Sequence, residues 1–320
     1  MRRHHEGRRR PMLLLALVVA LLASLGAAAG SAGAAGEGCN GNPRLCDRPL
    51  DTVVLPTTHN AMSAASLGWI FPNQPVGIPQ QLAAGVRGLL LDTHYGHPSP
   101  NGSVVTDRTE TPASRLYLCH VACQLGATPL VEVLQAMRIF LHFHPRNVIV
   151  IVNEDNVSAT DYAQEFRRAG LLPHVYRGGT SSPWPTLRTL IRNRKQVVLL
   201  AERDSGVVPW YHEAYAGVVQ ETRYDWPTPG LITEPSNWTA SCSPNRGGTN
   251  GSLFLMNHWS PPFAPTPSGS ESVNATDVLV GRARACEAAR GKLPNLVAVD
   301  QFQSGGLFEA VRQLNAGVAP

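Results

Sequence analysis

Eight short apolar runs, almost unbroken by polar residues, constrain the fold of this chain more than any other feature. The first four are Thr52-Val-Val-Leu-Pro-Thr-Thr, Gly88-Leu-Leu-Leu-Asp-Thr-His, Leu116-Tyr-Leu-Cys-His and Val148-Ile-Val-Ile-Val-Asn-Glu. The last four are Gln196-Val-Val-Leu-Leu-Ala-Glu, Gly217-Val-Val-Gln-Glu, Ser252-Leu-Phe-Leu-Met-Asn-His and Asn295-Leu-Val-Ala-Val-Asp. A strand with one wet face alternates apolar and polar residues; continuous runs suit parallel strands covered on both faces. Helical patterns lie between them. Leu130, Val133, Leu134, Met137 and Leu141 form a stripe within 129–143, and the segments 159–169, 186–193, 272–290 and 306–314 read the same way. This alternation predicts an α/β fold of the (β/α)8 TIM-barrel type, with its irregularity expected at the sixth strand.

The start of the chain belongs to a different regime. Arg2, Arg3, Arg8, Arg9 and Arg10 precede an apolar run beginning at Met12, and small residues follow from Gly26 to Gly36. The run is shorter than the ~20 residues a spanning helix needs. Residues 1–36 therefore read as a signal peptide that is removed, and 37–320 as a single secreted barrel domain. The segment's five arginines and one glutamate equal the whole chain's net charge of +4, so the mature protein is close to neutral. A nucleic-acid-binding role lacks the basic excess it would need, and the protein is expected to act as a monomer.

All six cysteines lie beyond residue 36, an even number in an exported chain, which favours disulfides over metal binding. Proximity suggests Cys39–Cys46, Cys119–Cys123 and Cys242–Cys286. Zinc at Cys119-His120-x-x-Cys123 is the rival reading, and it lacks a second pair of ligands.

Barrel active sites form at the C-terminal ends of the strands, and here the apolar runs end in polar residues. The first runs into His59-Asn60, the second ends at Asp92-Thr93-His94, the third at His120, the fourth at Asn153-Glu154-Asp155 and the last at Asp300. Alternation along a strand places Leu90, Asp92 and His94 on one face and Val150, Val152 and Glu154 on another. The structural alternative is that these carboxylates cap helices or pair with arginines such as Arg87. Two histidines on one pocket supply a general base and a general acid, and a carboxylate beside one of them fixes its tautomer. Further carboxylate and amide oxygens suit a hard cation such as Ca²⁺. Together these groups match the needs of phosphoryl transfer.

These motifs resemble the phosphatidylinositol-specific phospholipase C X-domain family over roughly residues 50–305, and most nearly its secreted, X-domain-only branch. Thr58-His59-Asn60 is similar to the family's first histidine motif, and the segment from Gly85 to Asp92 to its second strand. Leu118-Cys119-His120 is similar to the second histidine motif, and Val148 to Glu154 to the strand that carries a calcium-binding glutamate. The resemblance implies a phospholipid substrate at a membrane surface and cleavage through a cyclic inositol phosphate. It further implies His59 as general base, His120 as general acid and Asp300 as the group orienting His59. Ca²⁺ would be held by Asn60, Asp92 and Glu154. The chain departs from the calcium-dependent pattern at Leu90, where those members carry glutamate; His94 or Asp155 are the residues placed to compensate. Arg115, Lys195 and Arg203 are candidate phosphate contacts by position, and Trp69-Ile70-Phe71-Pro72 reads either as an apolar rim for a lipid surface or as a buried loop anchor. The alternatives are a glycerophosphodiester phosphodiesterase, a phospholipase D-like barrel, or a catalytically inactive secreted binding protein on the same fold.

Overall fold

Register explains how the two ends of the barrel sequence meet. In the computed structural model, which describes residues 38–260 and 265–317, strand β1 (Leu55–Thr58) pairs in parallel with the last strand, Leu296–Val299. The expected signal peptide, residues 1–36, lies outside the described residues. Between these two come β2 (Gly88–Pro98), β3 (Val104–Asp107), β4 (Arg115–Leu118), β5 (Thr128–Pro129), β6 (Ile149–Asn156), β7 (Val197–Ala201), β8 (His212–Glu213), β9 (Val219–Glu221) and β10 (Leu253–His258), which makes the last strand β11. Eight of these strands run parallel in one curled sheet, in the order β8-β7-β6-β2-β1-β11-β10-β9. Seven correspond to the expected runs. The eighth does not. The run at 116–120 lies outside the parallel wall: its β4 pairs antiparallel with the long outer half of β2, β2 pairs directly with β6, and the eighth wall strand is β8 at the edge beyond β7. A run bounded by turn residues looks the same from sequence in either setting, because periodicity reports burial and not strand direction.

Two apolar layers hold the sheet. The inward-facing side chains of the strands, among them Leu55, Leu90, Val150, Val152, Val198, Leu200, Leu253, Leu255, Leu296 and Ala298, form one buried cluster. Their alternate neighbours, Leu89, Leu91, Ile149, Ile151, Val197, Leu199, Met256, Val297 and Val299, pack outward against the helices. Both faces are thus covered, as the unbroken runs required.

The helices are α1 (Ile78–Ala84), α2 (Leu130–Phe143), α3 (Ala159–Arg168), α4 (Leu187–Arg192), α5 (Gly230–Thr233), α6 (Trp238–Ser241), α7 (Pro267–Val273), α8 (Thr276–Arg290) and α9 (Leu307–Ala316). The stripe on α2 is buried as expected. The stretch 272–290 is two helices, since α7 ends at Val273 and α8 starts at Thr276. Three disulfides join Cys39–Cys46, Cys119–Cys123 and Cys242–Cys286, the expected pairs, and they leave no thiolates for zinc at Cys119 and Cys123. Among the described residues no helix is long and apolar enough to cross a membrane.

The wall is tightest at Gly88, where β2 leaves α1 to join β1. A Cβ there would lie 2.1 Å from Thr57 Oγ1 and 2.8 Å from its Cβ. Thr57 is completely buried and branched at Cβ, so it has no room to turn away. Gly88→Ala is expected to destabilise the fold by about 1–3 kcal/mol through overpacking, read from the denaturant midpoint of the purified protein.

Candidate active site

His59 and Asp300 each stand one residue beyond a paired position. Thr58 of β1 is opposite Val299 of β11, so the next residue on each strand projects at the same end of the barrel. The His59 amide donates to the Val299 carbonyl at 3.0 Å, and Nδ1 of its ring lies 2.9 Å from Asp300 Oδ1. That oxygen also accepts from Asn73 Nδ2 at 3.1 Å, while Asn274 Nδ2 donates to the Asp300 carbonyl at 2.8 Å. Asp300 is therefore fixed on both sides, and with Nδ1 committed to it, Nε2 is the ring nitrogen left for chemistry.

His120 arrives from a different element. It follows β4, inside the small loop closed by the Cys119–Cys123 disulfide. Its Nε2 is 3.1 Å from Asn60 Nδ2, and the same amide nitrogen donates to Asn73 Oδ1 at 3.3 Å. Burial, followed by the neighbouring His59, lowers the His120 pKa to about 4, so its ring is neutral near pH 7. Both histidines line one cavity of about 570 Å³, with Asn73, Tyr224, Asp225, Trp226, Trp259 and Asp300 among its other walls.

Backbone strain clusters here as well. Asn60, Val121 and Gln301, the residues after His59, His120 and Asp300, have φ of 44°, 63° and 48°. A β-branched residue such as Val121 is rare in that region, and such geometry persists where surrounding structure enforces it.

Beside the histidines lies a second recess lined by Asn60, Leu90, Asp92, Glu154, Glu202, Tyr224, Arg246 and Trp259. Glu154 is held by Arg203, whose Nη2 lies 2.7 Å from its Oε1. Glu202 and Glu221 share Arg246, at 2.5 Å from Nη1 and 2.6 Å from Nε. Asp92 is different. It is buried, and among the described residues its carboxylate has no hydrogen-bond donor. Burial first, then Glu154 and Glu202, raise its pKa. An orphan carboxylate of this kind, with a second carboxylate and the Asn60 amide oxygen on the same recess, is a donor set suited to a hard cation. Among the described residues no three of His, Cys, Asp and Glu are gathered to hold a metal by themselves, so Asn60 would have to serve as the third donor.

The other expectations divide. Leu90, the departure from the calcium-dependent pattern, faces the recess and brings no oxygen to it. Asp155 does not compensate; its oxygens accept from the amides of Arg203 and Asp204 at 2.9 and 2.8 Å and shape that loop. His94 pairs with Asn156 at 3.3 Å, one layer out. Arg87 contacts Asn147 and the carbonyls of Leu82 and Val86, so it does not serve as partner to the site carboxylates. Of the three basic candidates only Arg203 reaches the site. Arg115 binds carbonyls of its own hairpin, and Lys195 bonds the Pro173 carbonyl next to the start of β7. Sequence reasoning passed over Asn73, Glu202, Tyr224, Arg246 and Trp259. Glu202 carried a signal, because it too ends an apolar run. Trp259 carried the same signal, as the residue after the run that ends at His258; Asn73, Tyr224 and Arg246 sit in loops whose path no periodicity fixes.

Known proteins share this architecture. The family described as PI-PLC X 1 matches residues 45–315. A PI-PLC X domain-containing protein of Arabidopsis thaliana is 24% identical over 296 residues, which cover 84% of this chain and 63% of that protein. The chain thus spans less than two thirds of that relative's length. Structures of phosphatidylinositol-specific phospholipase C from Staphylococcus aureus superpose with TM-scores of 0.51 and 0.52 at 13% identity, covering 84% and 86% of this chain and 94% and 95% of theirs. At that identity the likeness establishes the fold.

The depressed His120 pKa has a consequence for stability. An unfolded histidine titrates near 6.5. Below that value the unfolded chain takes up a proton that folded His120 refuses until about pH 4. Its contribution is therefore complete above about pH 6.5 and is lost as the pH falls towards 4. His120→Gln is expected to lose less stability than the unaltered protein between pH 7 and 5, measured by denaturant unfolding at both values.

Proposed function

The chain belongs to the PI-PLC X family, and on that premise we propose that it is a secreted phosphodiesterase that cleaves phosphatidylinositol-type phospholipids by paired-histidine acid–base catalysis. One observation carries the reading: two imidazoles from separate elements face one cavity, with His59 bound through Nδ1 to the buried carboxylate of Asp300 and His120 meeting the Asn60 amide through Nε2. Such an asymmetric pair provides a base and an acid at once.

In this reading His59 Nε2 takes the proton of the inositol 2-hydroxyl. The freed oxygen attacks phosphorus, and a five-membered cyclic phosphodiester forms. The bond from phosphorus to the diacylglycerol oxygen breaks, and that oxygen takes its proton from His120. Asp300 holds Nδ1 of His59 as the nitrogen that bears hydrogen, which leaves Nε2 to take the proton. His120 must carry a proton to act as the acid. The negative phosphodiester in the cavity raises its low pKa, so substrate arrival itself prepares the acid. Water attack on the cyclic product, with the two roles reversed, would open it.

Asn60, Asp92 and Glu154 are the residues that would hold Ca²⁺, and Glu154 would have to leave Arg203 to do so. When bound there, the ion supplies positive charge against the phosphate and the attacking oxygen. The secretion reading rests on the 1–36 segment together with the three disulfides, which persist in oxidising compartments. The protein acts alone on its substrate, as a monomer at a lipid surface.

That surface has a place to dock. Leu67, Ile70, Phe71 and Val121 are 53%, 51%, 49% and 62% exposed. The first three belong to one loop, joined to the His120 loop where the Ile70 amide donates to the Leu125 carbonyl at 2.7 Å. Of the two readings of this segment, rim and buried anchor, Trp69 takes the second: it is buried, packed where a Cβ on Gly126 would lie 2.4 Å from its Cγ.

The test of the chemistry is phosphorus NMR of the purified protein with phosphatidylinositol micelles, with Ca²⁺ and then with chelator. A cyclic phosphodiester signal is expected, and one that disappears with chelator assigns the cation as well. His59→Ala and His120→Ala should each lose about 10²–10⁴-fold in rate or more with the fold retained by circular dichroism; full activity in both would overturn the mechanism. For the rim, Phe71→Ser combined with Ile70→Ser should weaken binding to phosphatidylinositol-containing vesicles while leaving turnover of a short-chain, water-soluble analogue close to unaltered.

A further inference from the structure

A single hydrogen bond fixes one point of an imidazole and leaves the ring free to turn about that bond. His59 is attached to Asp300 through Nδ1 alone, and its side chain is 20% exposed. Something else must set the direction in which Nε2 points. The indole of Trp259 lies flat on the His59 ring, with centroids 3.6 Å apart and planes within 2°. The opposite support is a column of rings. Tyr224 follows Trp259 at 6.4 Å and 20°, and the Arg246 guanidinium lies 5.4 Å from the Tyr224 centroid and 4.2 Å from that of Tyr215.

The far end of this column is tied down. Arg246 bonds Glu202, just beyond β7, and Glu221 in β9. Those strands lie towards the two opposite edges of the curled sheet, so Arg246 clasps the seam of the barrel. The backbone under Trp259 is also anchored. Asn257 Nδ2 donates to Glu221 Oε2 at 3.2 Å and to the Thr222 carbonyl at 2.8 Å. His258, wholly buried, pairs with Arg282 through Nδ1 at 3.0 Å and with the Val273 carbonyl through Nε2 at 2.8 Å. Trp259 is thus a flat face on a fixed mount.

We propose that Trp259 is a positioning residue for the general base, holding the plane of the His59 ring so that Nε2 is aimed at the reacting hydroxyl, with the Arg246 clasp as its rear support. The proposal rests on the paired-histidine reading above. Aromatic faces stacked at this separation resist rotation of either ring. A base held on line before substrate arrives avoids a search in each turnover, and a misplacement of about 1 Å is enough to lower a rate ~10²-fold.

Two measurements on the unaltered protein, Trp259→Leu and Trp259→Phe test it. Turnover of phosphatidylinositol micelles is expected to show kcat lower by about 10²-fold in Trp259→Leu with KM little altered, and most of the loss recovered in Trp259→Phe, which restores a ring. If Trp259→Leu keeps kcat and raises KM, the indole is a substrate contact and the proposal falls. The second measurement needs no substrate. Proton NMR, with His59 assigned by comparison with His59→Gln, should show the His59 ring protons displaced upfield by the indole ring current, and returned downfield in Trp259→Leu. Unmoved ring protons would show that the stack does not hold in solution, and would overturn the proposal. If the unaltered protein leaves phosphatidylinositol intact, the substrate reading fails by itself, while the ring-proton comparison still decides whether Trp259 holds the base.

Discussion

The parallel pairing of the first strand with the last is the contact on which the rest of this protein depends. It closes a loop of some 240 residues, since Leu55 meets Leu296 and Thr58 meets Val299. Closing so long a loop costs entropy that no local hydrogen bond repays. The return comes from the two apolar layers that the curled sheet completes, one inside it and one beneath the helices. Once those layers are formed, the register is set to the residue, because a slip of one would turn every side chain of β1 to the wrong face. The meeting of His59 with Asp300 then needs no further device: they are the next residues along two strands already in register.

The rest of the site is held by electrostatics at the end of the barrel. Four carboxylates, Asp92, Glu154, Glu202 and Glu221, approach one another with two guanidinium groups between them. Burying such charges is tolerable only when they are paired. Arg246 lies between Glu202 and Glu221, Arg203 covers the partly exposed Glu154, and Asp92 is the acid left over. The same arginine that neutralises the seam also ends the column of rings behind His59. Charge compensation and the end of the ring column against His59 thus rest on one side chain.

How much of this was legible beforehand depends on the kind of signal. Burial was. The unbroken runs required strands covered on both faces, and the wall is parallel and double-layered. The polar residue at the end of each run was legible too, and His59, Asp92, His120, Glu154 and Asp300 all stand at the same end of the barrel, lining the two adjoining recesses. The direction of the run at 116–120 was not, because an antiparallel hairpin strand buried beside β2 has the same composition as a wall strand. Nor was the choice between rim and anchor at 69–72 legible: Ile70 and Phe71 are exposed, while Trp69 packs against Gly126 below them.

The sequence by itself determined seven of the eight wall strands, the buried stripe of α2, the cysteine pairs and the identities of the two histidines with their aspartate, since each rests on spacing along the chain or on the end of a periodic run. Only the tertiary structure decided which loops bring Asn73, Tyr224 and Arg246 to that site. Their positions follow from long-range packing and charge pairing across the seam. Such contacts join residues distant in the chain, and they leave no local periodicity to be read.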